Sequence, residues 1–166
     1  MRKIIAAAVA AAVFVGVTAQ AATTTTAFQV SATVLKTCSV SAAALGFGNY
    51  TPGGGALAIN TTANVLCTKT TPFTVALDKG TTAGGTIAQR LMVNGVNTLQ
   101  YNLYTTAAFA TIFGDGTGTS VTQAGVGVGL GTAVAFTVFG QLPDNATNQG
   151  AVPGAYADTI TVTVTF

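Results

Sequence analysis

The sequence predicts an all-β sandwich, because short apolar segments with alternating polar residues recur between turn-forming residues. Clusters such as Asn94-Gly95 and Pro153-Gly154 separate these segments, and both favour tight turns. Sustained helical character is confined to the N-terminal stretch. The candidate strands span residues 28–34, 38–43, 64–67, 73–77, 99–104, 133–139 and 159–166.

The N-terminal residues 1–21 have the three parts of an export signal. Arg2 and Lys3 form a basic start, residues 4–17 are apolar, and Ala19-Gln20-Ala21 is a small-residue cleavage site. The apolar run is shorter than the roughly 20 residues needed to cross a bilayer, which disfavours the alternative of an uncleaved membrane anchor. We therefore predict an exported chain that begins at Ala22.

The mature chain has the size of one domain and carries very little charge. Cleavage would remove Arg2 and Lys3, so the net charge falls from +2 to zero. This balance disfavours binding to nucleic acid, which requires a basic surface. So few charges are unusual for a monomer in solution and suit a protein that packs against copies of itself. The remaining charged residues are Lys36, Lys69, Lys79, Arg90, Asp78, Asp115, Asp144 and Asp158.

Residues that carry catalysis are scarce. The chain has no His, which leaves no nucleophile–His pair, and its four acidic residues are all Asp. Asp78, Asp115 and Asp144 stand beside turn residues and are interpreted as turn formers. The glycine-rich segment 114–131 lacks the phosphate-binding motifs and is interpreted as a flexible hairpin or a close backbone approach. We predict no enzyme activity, no cofactor and no metal site.

Two cysteines, Cys38 and Cys67, are an even number in a chain predicted to be exported. A disulfide between them is therefore favoured over a free thiol or a metal pair, since two thiols without His are too few ligands for zinc. In the chain-entropy model such a bond would contribute about 3 to 4 kcal/mol to stability.

The two ends of the mature chain each carry a strictly alternating segment. Alternation places every second residue on one face of a strand, so each segment has one apolar face. Such a chain can either close its own sheet or lend one strand to a neighbour. The apolar faces consist of Phe28, Val30, Ala32 and Val34 at the N-terminal end, and of Ile160, Val162, Val164 and Phe166 at the C-terminal end.

Several motifs together resemble the spore coat protein U domain. They are the alternating start that leads to Cys38, Phe47-Gly48-x-Tyr50, Cys67, Arg90-Leu91-Met92, Leu99-x-Tyr101-x-Leu103-Tyr104, Phe113-Gly114-Asp115-Gly116, Val138-Phe139-Gly140-x-Leu142-Pro143, and Pro153-Gly154-x-Tyr156-x-Asp158 followed by the C-terminal strand. The resemblance covers essentially the whole mature chain. One departure is Phe113, where the family often has Trp, and this changes packing only.

The resemblance implies an incomplete immunoglobulin-like sandwich that lacks its last strand and is completed by donor-strand complementation. It implies a pilin of an archaic chaperone–usher pilus at the cell surface, supporting adhesion and biofilm formation. The implied partners are a periplasmic chaperone, an outer-membrane usher, copies of the chain itself and a tip adhesin. The implied parts are the signal (1–21), a donor-strand extension (22–35) and a pilin domain (36–166).

We accordingly hypothesise that Phe28, Val30, Ala32 and Val34 are the donor-strand anchors and that Ile160, Val162, Val164 and Phe166 line the receiving groove. Two other classes remain open from the sequence. One is a small outer-membrane β-barrel, which export and alternating strands also fit. The other is a secreted β-sandwich that binds carbohydrate or acts as an enzyme. A single domain favours a shaft subunit over a tip adhesin.

Overall fold

The structure is a computed structural model that describes Gly16 and residues 19–166. The predicted export signal therefore lies almost entirely outside the described residues. In the part that is described, no helix is long and apolar enough to cross a membrane. The chain divides into two units, Met1–Thr33 and Val34–Phe166.

In the first unit, residues 19–33 form neither helix nor strand and are exposed. Phe28 is 85% exposed and Val30 is 82% exposed, which is far more than apolar side chains of a folded core show. The predicted strand at 28–34 is therefore wrong for the isolated chain. A strand exists only where another strand accepts and donates its backbone hydrogen bonds, and this segment has no such partner in the described structure.

The second unit contains two antiparallel sheets and one short helix. The first sheet has five strands in the order β1-β2-β7-β5-β4, and the second has three in the order β6-β3-β8. This arrangement confirms the predicted all-β sandwich. The elements are β1 (Cys38–Ala42), β2 (Leu57–Cys67), β3 (Pro72–Leu77), β4 (Arg90–Asn94), β5 (Asn97–Tyr104), β6 (Gln123–Val126), β7 (Val134–Leu142), α1 (Ala146–Gln149) and β8 (Val162–Thr165).

The core lies between the two sheets and is built by strict alternation. Along β3, Phe73, Val75 and Leu77 are buried, while Pro72 and Thr74 are exposed. Period-two patterning of this kind is what places one face of a strand on a core. The buried core cluster consists of Val65, Cys67, Phe73, Val75, Leu77, Tyr101, Leu103, Phe113, Phe136 and Val138.

The predicted disulfide is present and joins two neighbouring strands. Cys38 and Cys67 face each other in the β1–β2 ladder with their Cα atoms 4.1 Å apart. Because Cys38 is the first residue of β1, the covalent bond fixes the point where this strand begins. It thereby holds an edge strand of the sheet against β2.

The glycine-rich segment makes the close backbone approach that was one of its two predicted interpretations. A Cβ on Gly127 would lie 2.2 Å from the carbonyl oxygen of Thr68, and one on Gly125 would lie 2.5 Å from the ring of Phe73. Glycine at both positions lets β6 and its extension lie directly on the β3 side of the sandwich. The sequence did not predict β6, because a segment in which glycine alternates with valine has too few apolar side chains to give a clear strand pattern.

One buried side chain replaces a stretch of β-ladder. The ladder between β5 and β7 covers Asn102 to Tyr104, and Asn102 faces Gln141. In the same register Gln100 would face Pro143, which has no N–H to donate. The fully buried Asn148 of α1 fills this gap. Its Oδ1 accepts from the Gln100 N–H at 2.8 Å, and its Nδ2 donates to the carbonyls of Gln100 and Pro143 at 2.9 and 2.7 Å.

The side chain of Asn148 should therefore matter more to stability than that of any exposed Asn. We expect Asn148→Ala to lower the free energy of unfolding by about 3 kcal/mol, because it leaves three backbone groups without partners. Asn145→Ala is the matched control, since Asn145 is exposed and caps α1 by one bond to the Asn148 N–H; it should cost about 1 kcal/mol. Chemical denaturation of the secreted protein measures both, and equal costs would contradict the assignment.

Candidate functional site

The sandwich is open along one side, between two edge strands. Among the described strands, β1 has only β2 as a hydrogen-bonded neighbour and β8 has only β3. β1 and β8 contact each other across the two sheets. Their unpaired edges therefore border the same opening, with backbone N–H and C=O groups that a further strand could bind.

This opening is an apolar groove of about 1190 Å³. Its walls are segments 42–50, which continue β1, and 151–160, which lead into β8. Both walls are rich in Ala and Gly, so their small side chains leave the groove wide. The floor consists of core residues from both sheets, namely Leu77, Met92, Leu99, Tyr101, Leu103, Val138 and Leu142.

The wall at 42–50 leaves the sheet after Ala43, whose N–H donates to Thr62. Leu45 and Phe47 turn inward and pack on the core, where Phe47 meets Tyr101 edge to face at 6.0 Å between ring centroids. Gly140 makes room for them, because a Cβ there would lie 2.9 Å from Leu45. The wall is thus seated on the floor by two large side chains.

A carboxylate anchors the far end of this wall. Asp144 accepts from the Tyr50 hydroxyl at 2.5 Å and from the N–H groups of Gly53 and Gly55 at 3.0 and 2.9 Å. These bonds lower the pKa of Asp144, while desolvation and the neighbouring carboxylate raise the pKa of Tyr50 to about 12. The interpretation of Asp144 as a local turn former is incomplete, because it binds a loop about ninety residues away in sequence.

A second carboxylate anchors the wall at 151–160. Asp158 accepts from the N–H and hydroxyl groups of Thr81 and Thr82 at 3.0 to 3.1 Å, and from the Tyr101 hydroxyl at 2.7 Å. Ala157 of the same wall exchanges both backbone hydrogen bonds with Val93 of β4. Burial opposes the charge of Asp158, yet the hydrogen bonds win and its pKa lies below the ordinary value.

Arg90, the first residue of β4, is completely buried and bonds to oxygens of three segments. Its guanidinium donates to the carbonyls of Asp78 and Phe113 at 2.9 Å and to Oδ1 of Asn102 at 2.6 Å. Burial lowers its pKa, against the charges of nearby side chains. Five donors in a rigid fork allow this one side chain of β4 to bond to β5, to the residue that follows β3 and to the segment at Phe113.

The predicted groove residues of the C-terminal strand divide into two groups. Ile160 and Val162 line the groove, and Val164 packs on the core cluster beyond its lining. Phe166 is 53% exposed. The intervening residues Thr161, Thr163 and Thr165 are exposed, as alternation requires. The open part of the groove thus lies at the N-terminal end of β8.

The predicted donor residues are exposed, with Val34 at 86%. Their assignment stays a prediction, as do the domain boundaries at 21 and 35. Sequence reasoning missed Tyr50, Asp144, Asp158 and Tyr101 as the residues that fix the groove. Asp158 and Tyr50 stand in recognised motifs, but only the fold shows which distant groups they bind.

No group of three or more His, Cys, Asp or Glu side chains that could hold a metal ion occurs in the described part of the chain. The acidic side chains instead accept hydrogen bonds from backbone N–H groups. Asp78 accepts from Gly80 and Thr161, and Asp115 accepts from Thr117 within its own turn. The groove is lined mainly by apolar side chains, and the unpaired edges of β1 and β8 border it.

A family model for the Spore Coat Protein U domain matches residues 24–163. The chain belongs to this family. No curated protein matches the chain.

Among solved structures, the chain is similar to the CsuC–CsuE chaperone–tip adhesion subunit pre-assembly complex from archaic chaperone–usher Csu pili of Acinetobacter baumannii. The TM-score is 0.57 at 22% identity, and the match covers 81% of this chain and 41% of that chain. This likeness shows a shared fold, and the present chain spans less than half of the solved one.

The Tyr50–Asp144 contact has a distinctive pH dependence. Because the pKa of Tyr50 is raised, the contribution of Tyr50 to the stability of the fold is complete below pH 10 and is lost as the pH rises through about 12. The lowered pKa of Asp144 means that its contribution is complete above pH 3.8 and is lost as the pH falls through its lower folded value. We expect the tyrosinate absorbance curves of the protein and of Tyr50→Phe to differ by one titration centred near pH 12.

The control for this titration is Asp144→Asn, which keeps Tyr50 and removes the negative charge. In that variant the Tyr50 titration should move back toward its ordinary pKa of 10. If Tyr50 already titrates near pH 10 in the unaltered protein, the contact with Asp144 does not form in solution.

Proposed function

We propose that this chain is a structural subunit of a surface pilus that is assembled by the chaperone–usher pathway through donor-strand exchange. The proposal is based on the apolar groove between the free edges of β1 and β8. It is also based on residues 22–34, called the N-terminal arm below, which are exposed and include an alternating segment typical of a strand. Membership of the Spore Coat Protein U family and the fold shared with a Csu pilus subunit support it.

The physical basis is that neither part is satisfied alone. An open strand edge above an apolar floor exposes both backbone groups and core side chains to water. The arm of a second copy supplies a strand whose backbone pairs with these edges and whose alternate side chains enter the groove. Each buried Phe or Val contributes roughly 1.5 to 3 kcal/mol, so the anchors outweigh the entropy lost by a short arm.

The same need predicts the partners of the subunit before assembly. A periplasmic chaperone would cover the groove first, and an outer-membrane usher would bring in the arm of the next subunit. Copies of the chain would then form the shaft, with a tip adhesin at its end. In this role the protein would act without cofactor or metal, and the pilus would support adhesion and biofilm formation.

Removal of the arm tests the proposal most directly. Deletion of residues 22–34 should give a subunit that is exported and held by its chaperone but forms no fibres, since no copy can then complete its neighbour. Electron microscopy of sheared surface material and gel ladders after mild heating measure assembly. Normal fibres from the truncated chain would contradict the proposal.

The smallest anchor should mark the shallowest part of the groove. We expect Ala32→Trp to block assembly, because the ring overpacks a site that fits a methyl group. Ser31→Trp is the matched control, since residue 31 points to the opposite face of the same strand. Fibre yield should fall severalfold for Ala32→Trp relative to Ser31→Trp, and equal yields would show that Ala32 does not point into the groove.

A further inference from the structure

The outer face of the five-stranded sheet points away from the core and has a composition that the proposed strand exchange does not use. Along β7, Phe136 and Val138 are buried in the core cluster, so the alternate residues Thr137 and Phe139 point outward. Tyr104 points outward as well, because it faces Phe139 in the β5–β7 ladder. None of the three central strands, β2, β7 and β5, contains a charged residue. This face is therefore uncharged but carries aromatic rings.

Three aromatic rings form a row across this outer face. In the ladders, Tyr104 of β5 faces Phe139 of β7, and Phe139 faces Asn60 of β2. Side chains that face each other across neighbouring strands have Cβ atoms roughly 4.5 to 5.5 Å apart. Phe109, in the loop after β5, continues the row, since its ring meets that of Tyr104 edge to face at 5.5 Å between centroids. We call Phe109, Tyr104 and Phe139 the outer aromatic row; none of them belongs to the core cluster.

The backbone at Phe109 has an unusual conformation. Its φ angle is 53°, in the left-handed region that bulky residues seldom adopt. The loop 105–111 holds it there, because the Thr105 N–H donates to the Thr111 carbonyl at 3.0 Å and the Phe109 N–H donates to the Thr106 carbonyl at 3.1 Å. Strained backbone of this kind clusters at binding and active sites. The chain thus has a large aromatic residue where glycine would be unstrained, which indicates a use for the ring itself.

Uncharged polar side chains flank the outer aromatic row. Asn60 and Thr137 are exposed, and Thr62 and Gln141 are half-buried. Thr62 and Thr137 face each other in the β2–β7 ladder, and Gln141 is two residues from Phe139 and is therefore on the same face. Side-chain amides and hydroxyls both donate and accept hydrogen bonds without carrying charge. The face thus combines apolar rings with neutral hydrogen-bonding groups.

This combination selects among the chemical classes that could bind. An anionic polymer needs basic side chains, and the central strands of this face have none. A purely apolar partner would leave the amides and hydroxyls without hydrogen bonds. A neutral sugar fits both features, because one side of its ring presents C–H groups that stack on an aromatic ring, and its edge presents hydroxyls that donate and accept. A flat row across several strands suits an extended chain of β-linked sugars better than a coiled one.

We propose that the outer aromatic row binds an extended neutral polysaccharide of β-linked hexopyranoses. The three rings stack on sugar rings, and Asn60 and Thr137 bond to sugar hydroxyls. The site does not depend on the proposed strand exchange, because it lies on the opposite face of the sheet from Leu103 and Val138 of the groove floor. In a fibre each copy would present one such site, and many weak sites in line bind a long polymer far more tightly than one does.

Cosedimentation of the secreted protein with amorphous cellulose, a neutral β-linked glucan, tests this site. We expect saturable binding to cellulose. Binding should be severalfold weaker to cross-linked dextran, which is neutral but α-linked, and to calcium alginate, which is extended but anionic. No binding to cellulose, or equal binding to the three polymers, would overturn the proposal.

Two pairs of variants locate the site on this face. Phe109→Gly removes one ring and relieves the left-handed backbone, so cellulose binding should fall severalfold while the melting temperature does not fall. Phe109→Tyr keeps the ring and should bind like the unaltered chain. Thr137→Ala should also weaken binding severalfold, whereas Thr74→Ala, the matched control on the exposed middle of β3, should leave it unchanged.

The outcome is separate from that of the proposed function. Fibre assembly should be the same for Phe109→Gly, Thr137→Ala and the unaltered chain, because the outer face takes no part in strand exchange. Cellulose binding that survives both Phe109→Gly and Thr137→Ala would overturn the sugar site and leave strand exchange intact. Failure of the unaltered chain to form fibres would contradict the proposed function without removing the sugar site.

Discussion

The free backbone edges of β1 and β8 face one opening, and this opening is the main constraint on the design of the domain. Hydrogen-bonding groups on a strand edge need partners, and the apolar floor beneath them needs cover. Other features of the site keep this opening in shape. The disulfide fixes the start of β1, Leu45 and Phe47 seat one wall, and two carboxylates tie the wall ends to distant loops. Contacts within the domain itself thus give the groove its shape.

Charge is used sparingly, and most of it serves the backbone. Asp144 and Asp158 accept several hydrogen bonds each from loop amides and tyrosine hydroxyls, and buried Arg90 donates to carbonyl and amide oxygens. A carboxylate that organises N–H groups can hold irregular segments in place where no strand pairing is available. Most of the surface therefore consists of uncharged residues such as Thr and Gly. Most of the charged side chains are used in fixed hydrogen bonds, several of them beside the groove.

The sequence predicted the sandwich and the disulfide because alternation and cysteine count depend on local patterns. It did not predict β4 or β6. β4 begins with the charged residue Arg90, and β6 has few apolar side chains because it contains glycine. Segment 28–34 has strand alternation but forms no strand in the isolated chain, because pairing depends on a partner and not on pattern. The groove anchors escaped because hydrogen bonds such as Asp144 to Gly53 join residues far apart in sequence.

The position of the disulfide also decides how the domain would respond to a mechanical pull. Tension that reaches the domain through residues 35–37 arrives first at Cys38. The disulfide transmits this tension from Cys38 to Cys67, the last residue of β2. β2 in turn pairs with β7 along nine consecutive positions. The short β1 ladder is bypassed. A stretched chain would therefore be held by the longest ladder of the sheet, and peeling of its edge strand would be prevented as long as the bond stays oxidised.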